Sequence, residues 1–227
     1  MALPQKTALL VGASGLVGSF LLRLLLKSNR YEKVIAVGRK PLPMQHPKLR
    51  QLVIDFDEID TYKHSLVADD IYCTLGTTIK EAGSQENFYK VDYEYVVDLA
   101  QITAANAAAQ FLVVSALGAN AQSSIFYSRV KGEMENKVKT LPFASVHIFQ
   151  PSLLLGPRPE KRLGESVATV LMNSFGFLLA GPLQKYKAIA AEDVAKGMLY
   201  AATQDIAGVK VYTTEKIKKQ AAALVLS

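Results

Sequence analysis

A glycine-rich turn near the N-terminus constrains the fold of this chain more than any other feature. Gly12, Gly15 and Gly18 are spaced G-x-x-G-x-x-G, between a predicted strand over 7–11 and a predicted helix over 16–26. Glycine permits backbone conformations and close approaches that a Cβ would block. The N-terminus of the following helix offers free N–H groups and a partial positive charge. The turn therefore predicts a binding site for the pyrophosphate of a dinucleotide, and a turn that serves helix packing alone is the alternative.

Apolar runs and helical patterns alternate along the chain after this turn. Half of the 227 residues are hydrophobic, which is enough for a sizeable core. The alternation is typical of a parallel sheet with helices on both faces, so we expect an α/β fold with a Rossmann-type doubly wound parallel sheet. The later predicted strands are 33–37, 51–54, 70–74, 110–115, 145–149 and 208–212, and the later predicted helices are 85–108, 123–139, 165–179 and 191–202.

The alternation becomes irregular after Pro151, and no repeat or low-complexity linker is present. We expect a single NAD(P)-binding Rossmann-like domain over 1–227, with a core of about 6–150 and a small substrate-side region of about 151–227. The apolar stretch over 155–182 is expected to line the substrate pocket or form a lid. The most membrane-like stretch, 167–183, is short for a membrane span and contains polar residues, so no stable membrane insertion is expected.

The residues after the second predicted strand bear on the choice of nicotinamide cofactor. A site that prefers NAD has a carboxylate about 20 residues after the glycine turn, bonded to the ribose 2′-hydroxyl. The sequence here is Val37-Gly38-Arg39-Lys40, which has no carboxylate. The planar fork of Arg39 suits a phosphate and Lys40 adds positive charge, so we expect NADP (NADPH). Two solvated loop cations are the alternative.

A second group of residues indicates acid–base chemistry. Tyr127 and Lys131 lie four residues apart in a predicted helix, so their side chains share a face. A nearby ammonium lowers the pKa of a tyrosine from its ordinary value of about 10, and the pair can then move a proton to an alkoxide or from an alcohol. Ser115 ends the fifth predicted strand, at the edge of the sheet that faces a cofactor, and could hold the substrate oxygen. We expect these three residues to be catalytic, and an ordinary amphipathic helix face is the alternative for the pair.

Composition excludes several other classes of protein. Cys73 is the single cysteine, so an intramolecular disulfide is impossible, and no metal site is expected from it and three scattered histidines. Cys73 and His147 both fall in predicted buried strands, where we expect core roles rather than a nucleophile or a base. The net charge of +6 is spread along the chain, so we expect no nucleic-acid partner. A reducing, cytoplasmic setting is expected.

Together, the glycine turn, the Tyr–Lys pair and Ser115 make the chain resemble the short-chain dehydrogenase/reductase superfamily, in its atypical or extended branch. A closer resemblance, to the Tat-interacting-protein oxidoreductase family and its bacterial members of unknown substrate, covers roughly 6–215. The Cys-x-Leu-Gly-Thr-Thr string at the start of 73–83 is its most specific element. The other matching positions are Phe88, Val91-Asp92, Val114-Ser115, Gly118-Ala119 and Lys131-Gly132-Glu133.

The resemblance implies roles for individual residues. Tyr127 would be the proton donor or acceptor, and Lys131 would bridge to the nicotinamide ribose. Asp92 and Gln150 depart from the family pattern, which often has Asn and Arg there. The helices over 85–108 and 123–139 are where a homodimer would pair. The implied cofactor contacts are Ser14, Gly15, Leu16, Val17, Arg39, Lys40, Leu75, Gly76, Leu154 and Arg162.

These observations favour an NADP-dependent oxidoreductase that transfers a hydride between nicotinamide and a carbonyl or alcohol substrate. An NADPH-binding regulatory or scaffold protein is an alternative, because the same fold hosts both roles. Sugar-nucleotide epimerisation with a tightly held cofactor is a third possibility. The small region after 151 and the Arg39-Lys40 pair argue against it.

Overall fold

A seven-stranded, fully parallel sheet forms the centre of the computed structural model, which describes residues 6–156 and 187–225. The order of its strands is β3-β2-β1-β4-β5-β6-β9, and a separate two-stranded parallel sheet pairs β7 with β8. The strands are β1 (Lys6–Val11), β2 (Tyr31–Gly38), β3 (Leu49–Val53), β4 (Asp70–Cys73), β5 (Gln110–Val114), β6 (Ser145–Gln150), β7 (Leu154–Leu155), β8 (Ile189–Ala190) and β9 (Gly208–Thr213).

Helices cover both faces of the sheet. A 3₁₀ segment, Phe56–Ser65, precedes β4, and a π-helical turn, Lys90–Glu94, joins the third helix to the fourth. The described α-helices are α1 (Leu16–Lys27), α2 (Ile79–Ala82), α3 (Gln85–Tyr89), α4 (Tyr95–Ala105), α5 (Phe126–Lys139), α6 (Ala191–Thr203) and α7 (Thr214–Ala223).

Alternation along β1 divides the core into two layers. Ala8 and Leu10 face one layer, while Leu9 and Val11 face the other. Because a strand covered on both sides buries every side chain, β1 is apolar after its first two residues, as its sequence predicts. The first layer includes Leu21, Leu25, Val194 and Met198 from α1 and α6, and the second includes Val96, Leu99, Met134 and Val138 from α4 and α5.

The doubly wound parallel sheet predicted from the sequence is confirmed. The strand order reverses between β1 and β4, and a crevice for a ligand forms at the carboxyl ends of strands beside such a switch point. The predicted helix over 85–108 contains the π-helical turn and ends at Ala105, before Ala107 with its φ of +62°. The predicted helix over 123–139 begins later, at Phe126. The predicted helix over 165–179 lies outside the described residues.

The segment after Pro151 contributes to the sheet as well as to the site. β9 pairs along its whole length with β6, and α6 packs on α1 in the first core layer. The assignment of all of 151–227 to the substrate side is therefore corrected for the described part after 187. β7 and β8 pair through Leu154 with Ile189 and Leu155 with Ala190, a contact that the sequence pattern does not predict.

Candidate functional site

The glycine turn lies between β1 and α1, as predicted. Gly12 has a φ of +87°, and a Cβ there would lie 2.6 Å from the side-chain oxygen of Thr74. A Cβ on Gly18 would collide with the backbone carbonyl of Gly12. Thr74, which follows β4, is fixed by donating its hydroxyl to the Val11 carbonyl at 2.9 Å. These two glycines therefore let the helix, the turn and the end of β4 pack closely.

The N-terminus of α1 is left open by the same turn. Gly15 is the N-cap residue, and no side chain caps the helix. No acidic residue lies in the first turn, and Ser14 is exposed beside it. The first N–H groups of a helix have no intrahelical partner, so those of Leu16 and Val17 are suited to an anion. This geometry fits a dinucleotide pyrophosphate, beyond what helix packing alone requires.

Two further elements border this turn. Gly156 lies so close to Leu16 that a Cβ there would come 2.7 Å from its Cδ1 atom, so the segment after β7 passes over the start of α1. Leu154, a predicted cofactor contact, is half-buried in that segment and packs against the first core layer. Arg162, another predicted contact, lies outside the described residues.

The predicted phosphate-binding cations follow β2 on the neighbouring strand. Val37 pairs with Val11, so the chain leaves β2 directly beside the glycine turn. Arg39 and Lys40 are exposed, and neither forms an ion pair within residues 6–156 and 187–225. Both side chains are thus unengaged by the described part of the chain, at the edge where the ribose of a bound dinucleotide would lie.

A buried ion pair forms the centre of the catalytic candidate. Lys131 Nζ lies 2.7 Å from Asp92 Oδ1, and both side chains are almost fully buried. The Thr77 backbone N–H donates to Asp92 Oδ2 at 2.9 Å. Gly76 lies beside both partners of the ion pair, since a Cβ on it would be 3.5 Å from Asp92 Oδ1 and 3.7 Å from Lys131 Nζ. Leu75 and Gly76 follow β4, as the cofactor prediction requires.

Electrostatics keep the lysine charged despite its burial. Burial lowers the pKa of Lys131, but the interactions of the ammonium with Asp92 and, to a smaller extent, with Tyr127 outweigh it, and the pKa is raised above its ordinary value. The π-helical turn Lys90–Glu94 carries Asp92 into this position, where family members often have Asn. The departure noted in the sequence is therefore a structural ion pair.

Tyr127 lies one turn before Lys131 on α5 and is half-buried. Its ring packs against Phe88, with centroids 5.4 Å apart. No residue among those described forms a hydrogen bond with its hydroxyl. The structure thus brings Tyr127, Lys131 and Asp92 together and leaves the phenol free within the described part of the chain.

Ser115 follows β5, but its hydroxyl has a different partner from the predicted one. It donates to Glu135 Oε1 at 2.6 Å in a buried setting. Gln150 Nε2 donates to the same oxygen at 2.8 Å, and Lys139 Nζ lies 3.4 Å from Glu135 Oε2. In this structure the Ser115 hydroxyl donates its proton to Glu135, so it is not free to donate to a substrate oxygen as the sequence predicts.

Cys73 and His147 have the core positions that the sequence predicts. Burial raises the pKa of the Cys73 thiol to about 12, which disfavours the reactive thiolate. Burial lowers the pKa of His147 to about 4. Its Nδ1 atom lies 3.0 Å from the Tyr212 hydroxyl, while Nε2 has no partner among the described atoms. In the part of the chain that the structure describes, no cluster of acidic, histidine or cysteine side chains could hold a metal ion.

Sequence reasoning missed Thr74, Thr77 and Glu135 as parts of the site. Glu135 lies four residues after Lys131, so helical spacing places it on the same face as the Tyr–Lys pair. That spacing was the available signal. For Thr74 and Thr77 the sequence offers only their place in the Cys-x-Leu-Gly-Thr-Thr string.

Fold and site together define a dinucleotide-binding protein of the Rossmann class. The family model described as "NAD dependent epimerase/dehydratase family" matches residues 8–213, and the chain belongs to this family, within the extended short-chain dehydrogenase/reductase superfamily. No helix within residues 6–156 and 187–225 has the length and apolar character that crossing a bilayer requires.

Comparison with similar sequences confirms the closer resemblance. The chain is 36% identical to Protein HTATIP2 of Rattus norvegicus, a Tat-interacting protein, over 174 residues, which are 75% of this chain and 72% of that protein. It is 32% identical to "Protein FMP52, mitochondrial" of Debaryomyces hansenii over 209 residues, which are 88% and 89% of the two chains.

Solved structures share the fold at lower identity. MoeE5 in complex with UDP-glucose and NAD has a TM-score of 0.67 and 16% identity, over 96% of this chain and 82% of that one. The Bordetella bronchiseptica enzyme WbmH in complex with NAD⁺ has a TM-score of 0.69 and 16% identity, over 96% and 80%. At this identity the likeness supports the Rossmann-like fold alone.

Proposed function

We propose that this protein is an NADP-dependent oxidoreductase that transfers a hydride between nicotinamide and a carbonyl or alcohol substrate. The observation that carries the proposal is the buried Lys131–Asp92 pair, at 2.7 Å, one helical turn beyond a phenol with no hydrogen-bond partner in the described residues. The Lys131 ammonium, one helical turn from Tyr127, supplies the positive charge that stabilises a phenolate and so allows the tyrosine to act as a general acid or base. The open N-terminus of α1 supports cofactor binding at the other end of the same crevice.

Each residue of the candidate site has a defined task in this proposal. When bound, the nicotinamide cofactor supplies or accepts the hydride. Tyr127 gives its hydroxyl proton to the substrate oxygen in reduction and takes it back in oxidation. Lys131 stabilises the phenolate that remains, and Asp92 holds the ammonium in place through the ion pair. Ser115 is given no substrate contact, because its hydroxyl donates to Glu135.

The preference for NADP rests on the end of β2. Arg39 and Lys40 are exposed and without ion pairs among the described residues, so binding a 2′-phosphate breaks no existing contact that the structure shows. Arg can bind a phosphate through two parallel hydrogen bonds. The family is described as NAD dependent, and the named structural neighbours hold NAD, so the extra phosphate is the specific element of this proposal.

One observation favours a regulatory or scaffold role that responds to NADPH. Ser115 and Tyr127 are the two hydroxyls expected at the reacting oxygen. The Ser115 hydroxyl donates to the buried Glu135 carboxylate, so the site has fewer free hydrogen-bond donors than the sequence predicts. Such a protein would bind NADPH without oxidising it. A partner whose affinity changes with NADPH, in the absence of turnover, would distinguish this role from catalysis.

The location and assembly are proposals of the same kind. We retain the cytoplasm predicted from the sequence, while relatives such as the Debaryomyces hansenii protein are named mitochondrial. Fractionation of cells that express the full chain decides between these compartments. A homodimer through the segment 85–108 and α5 is tested by sedimentation of the purified protein.

Cofactor titration followed by a turnover assay tests the proposed activity. Calorimetry with NADPH and NADH should show tighter binding of NADPH. Oxidation of NADPH is then followed at 340 nm over a panel of aldehydes and ketones, with UDP-glucose as a probe for epimerisation. Absence of heat with both cofactors would overturn the proposal. Binding without turnover would favour the regulatory role, and conversion of UDP-glucose would favour the epimerase.

A further inference from the structure

A buried polar cluster joins α5 to the carboxyl ends of two strands, and we define it as Ser115, Glu135 and Gln150. Glu135 is only 3% exposed, although a carboxylate is costly to bury without partners. Its Oε1 atom accepts from Ser115 Oγ at 2.6 Å and from Gln150 Nε2 at 2.8 Å. Ser115 directly follows β5 and Gln150 is the last residue of β6, so one carboxylate oxygen holds both strand ends.

The position of Glu135 on the helix gives this contact its consequence. Lys131 lies one turn before it and Tyr127 two turns before it on the same α5. A helix moves as a nearly rigid rod over such a distance. Fixing Glu135 to the ends of β5 and β6 therefore fixes the height and rotation of the phenol and the ammonium above the sheet. A reacting group displaced by about 1 Å can lose roughly 100-fold in rate.

The contacts at the two oxygens of Glu135 differ. Oε1 binds two buried donors, whereas Oε2 meets Lys139, whose side chain is 31% exposed. The acceptor oxygen, rather than the charge, is thus the feature that the cluster uses most. A glutamine at this position can keep Oε1 in place and give up the partly exposed contact alone.

We propose that Glu135 is a positioning residue that sets Tyr127 and Lys131 against the cofactor by anchoring α5 to Ser115 and Gln150. Ser115 then belongs to the anchor rather than to the substrate contacts. This inference rests on the proposed function for its kinetic consequence, but the anchoring itself is measurable without substrate.

The test compares Glu135→Met, which removes the acceptor, with Glu135→Gln, which keeps it. We expect Glu135→Met to lower kcat by about 10- to 100-fold, with the KM for NADPH within about twofold of wild type, because the glycine turn is untouched. Glu135→Gln should restore most of kcat. Glu133→Met is the matched control, because Glu133 is half-buried on the same helix and outside the cluster. A residue that only stabilises the fold would lower the unfolding temperature and leave the kcat of the folded protein unchanged.

A second comparison decides the role of Ser115. If it acts through Glu135, Ser115→Ala and Glu135→Met cost similar amounts and the double variant loses little more. A much larger loss for Ser115→Ala, multiplied in the double variant, would instead identify a substrate contact and overturn the inference.

Amide hydrogen exchange of the full chain without cofactor supplies the readout that is independent of activity. Exchange over 126–139 should become about fivefold faster or more in Glu135→Met and Ser115→Ala, and stay at the wild-type rate in Glu135→Gln and Glu133→Met. If wild type oxidises no NADPH, the proposed function fails and this measurement alone decides the inference. Wild-type exchange in Glu135→Met would overturn it.

Discussion

The two ends of the crevice are built from different materials. At the β1–α1 junction the site consists mainly of backbone, in a glycine turn followed by an uncapped helix N-terminus. Two exposed cations after β2 lie beside it. Beyond the ends of β4, β5 and β6 it consists of buried side chains that already contact one another, through the Lys131–Asp92 ion pair and the Ser115–Glu135 hydrogen bond. The first end is ready for a ligand, while the second is internally satisfied apart from the phenol.

This contrast separates binding from chemistry. A ligand at the first end forms new contacts without breaking old ones, so changes there should alter affinity. Side chains at the second end depend on one another, so changes there should alter the reaction or the stability of the fold. The variants below test that separation.

Tyr127→Phe should have the largest effect. Removing the hydroxyl removes the proton that the proposed reaction needs, so kcat should fall by roughly 10²- to 10⁴-fold. The dissociation constant for NADPH should stay within about twofold, because the glycine turn is unchanged. Turnover is measured as NADPH oxidation and binding by calorimetry.

Tyr62→Phe is the control, since Tyr62 is also half-buried but lies in the 3₁₀ segment before β4. Full turnover by Tyr127→Phe would remove the chemical half of the contrast. Loss of NADPH binding in this variant would show that the two ends are not separate.

The glycine turn and the Tyr–Lys pair could be predicted because each depends on local spacing. A strand, a turn and a helix follow one another in the sequence, and residues four apart on a helix share a face. The parallel sheet follows in the same way from the alternation of patterns. The departure from the family pattern at Asp92 can be read from the sequence, but its ion pair with Lys131 cannot.

Partners remote in sequence could not be predicted. Ser115 and Glu135 come together because α5 crosses over the ends of β5 and β6, and the sequence contains no local signal for that crossing. The hydroxyl at the end of a strand therefore resembles a substrate contact until the packing shows its carboxylate. The pairing of β7 with β8 was missed for the same reason, since each is only two residues long.

Asp92→Asn should have the next largest effect, and it acts on stability. The amide keeps an acceptor for the Thr77 N–H but leaves the buried Lys131 ammonium without its counter-charge. Breaking a buried pair in this way costs about 3–5 kcal/mol. Urea unfolding at pH 7 measures the loss. Glu192→Gln, which breaks the partly exposed pair with Lys196 on α6, should cost no more than about 1 kcal/mol.

The pH dependence of this pair has a defined sign. The pKa of Lys131 is raised above its ordinary value of 10.5, so the folded protein binds the proton more tightly than the unfolded chain. The stabilisation is complete below that ordinary value and is lost only as the pH rises through the raised pKa. The contribution of the ion pair to wild-type stability should therefore be the same at pH 6 and pH 8. In Asp92→Asn burial acts on Lys131 without the counter-charge and lowers its pKa, so the stability lost relative to wild type should stay constant or shrink from pH 6 to pH 8. A loss that grows from pH 6 to pH 8 would contradict a charged Lys131 in wild type.

Arg39→Ala should have the smallest of these effects, and it belongs to the open end of the crevice. Loss of charge-assisted hydrogen bonds to a 2′-phosphate weakens NADPH binding by about 10- to 100-fold, while NADH binding stays within about twofold. The change in preference is measured by titrating both cofactors, with Arg50→Ala, on β3, as the control for a general loss of positive charge. Because Arg39 has no ion pair among the described residues, the variant should unfold at the wild-type urea concentration. Equal weakening for both cofactors would mean that Arg39 acts on the dinucleotide as a whole, and the preference for NADP would lose its structural basis.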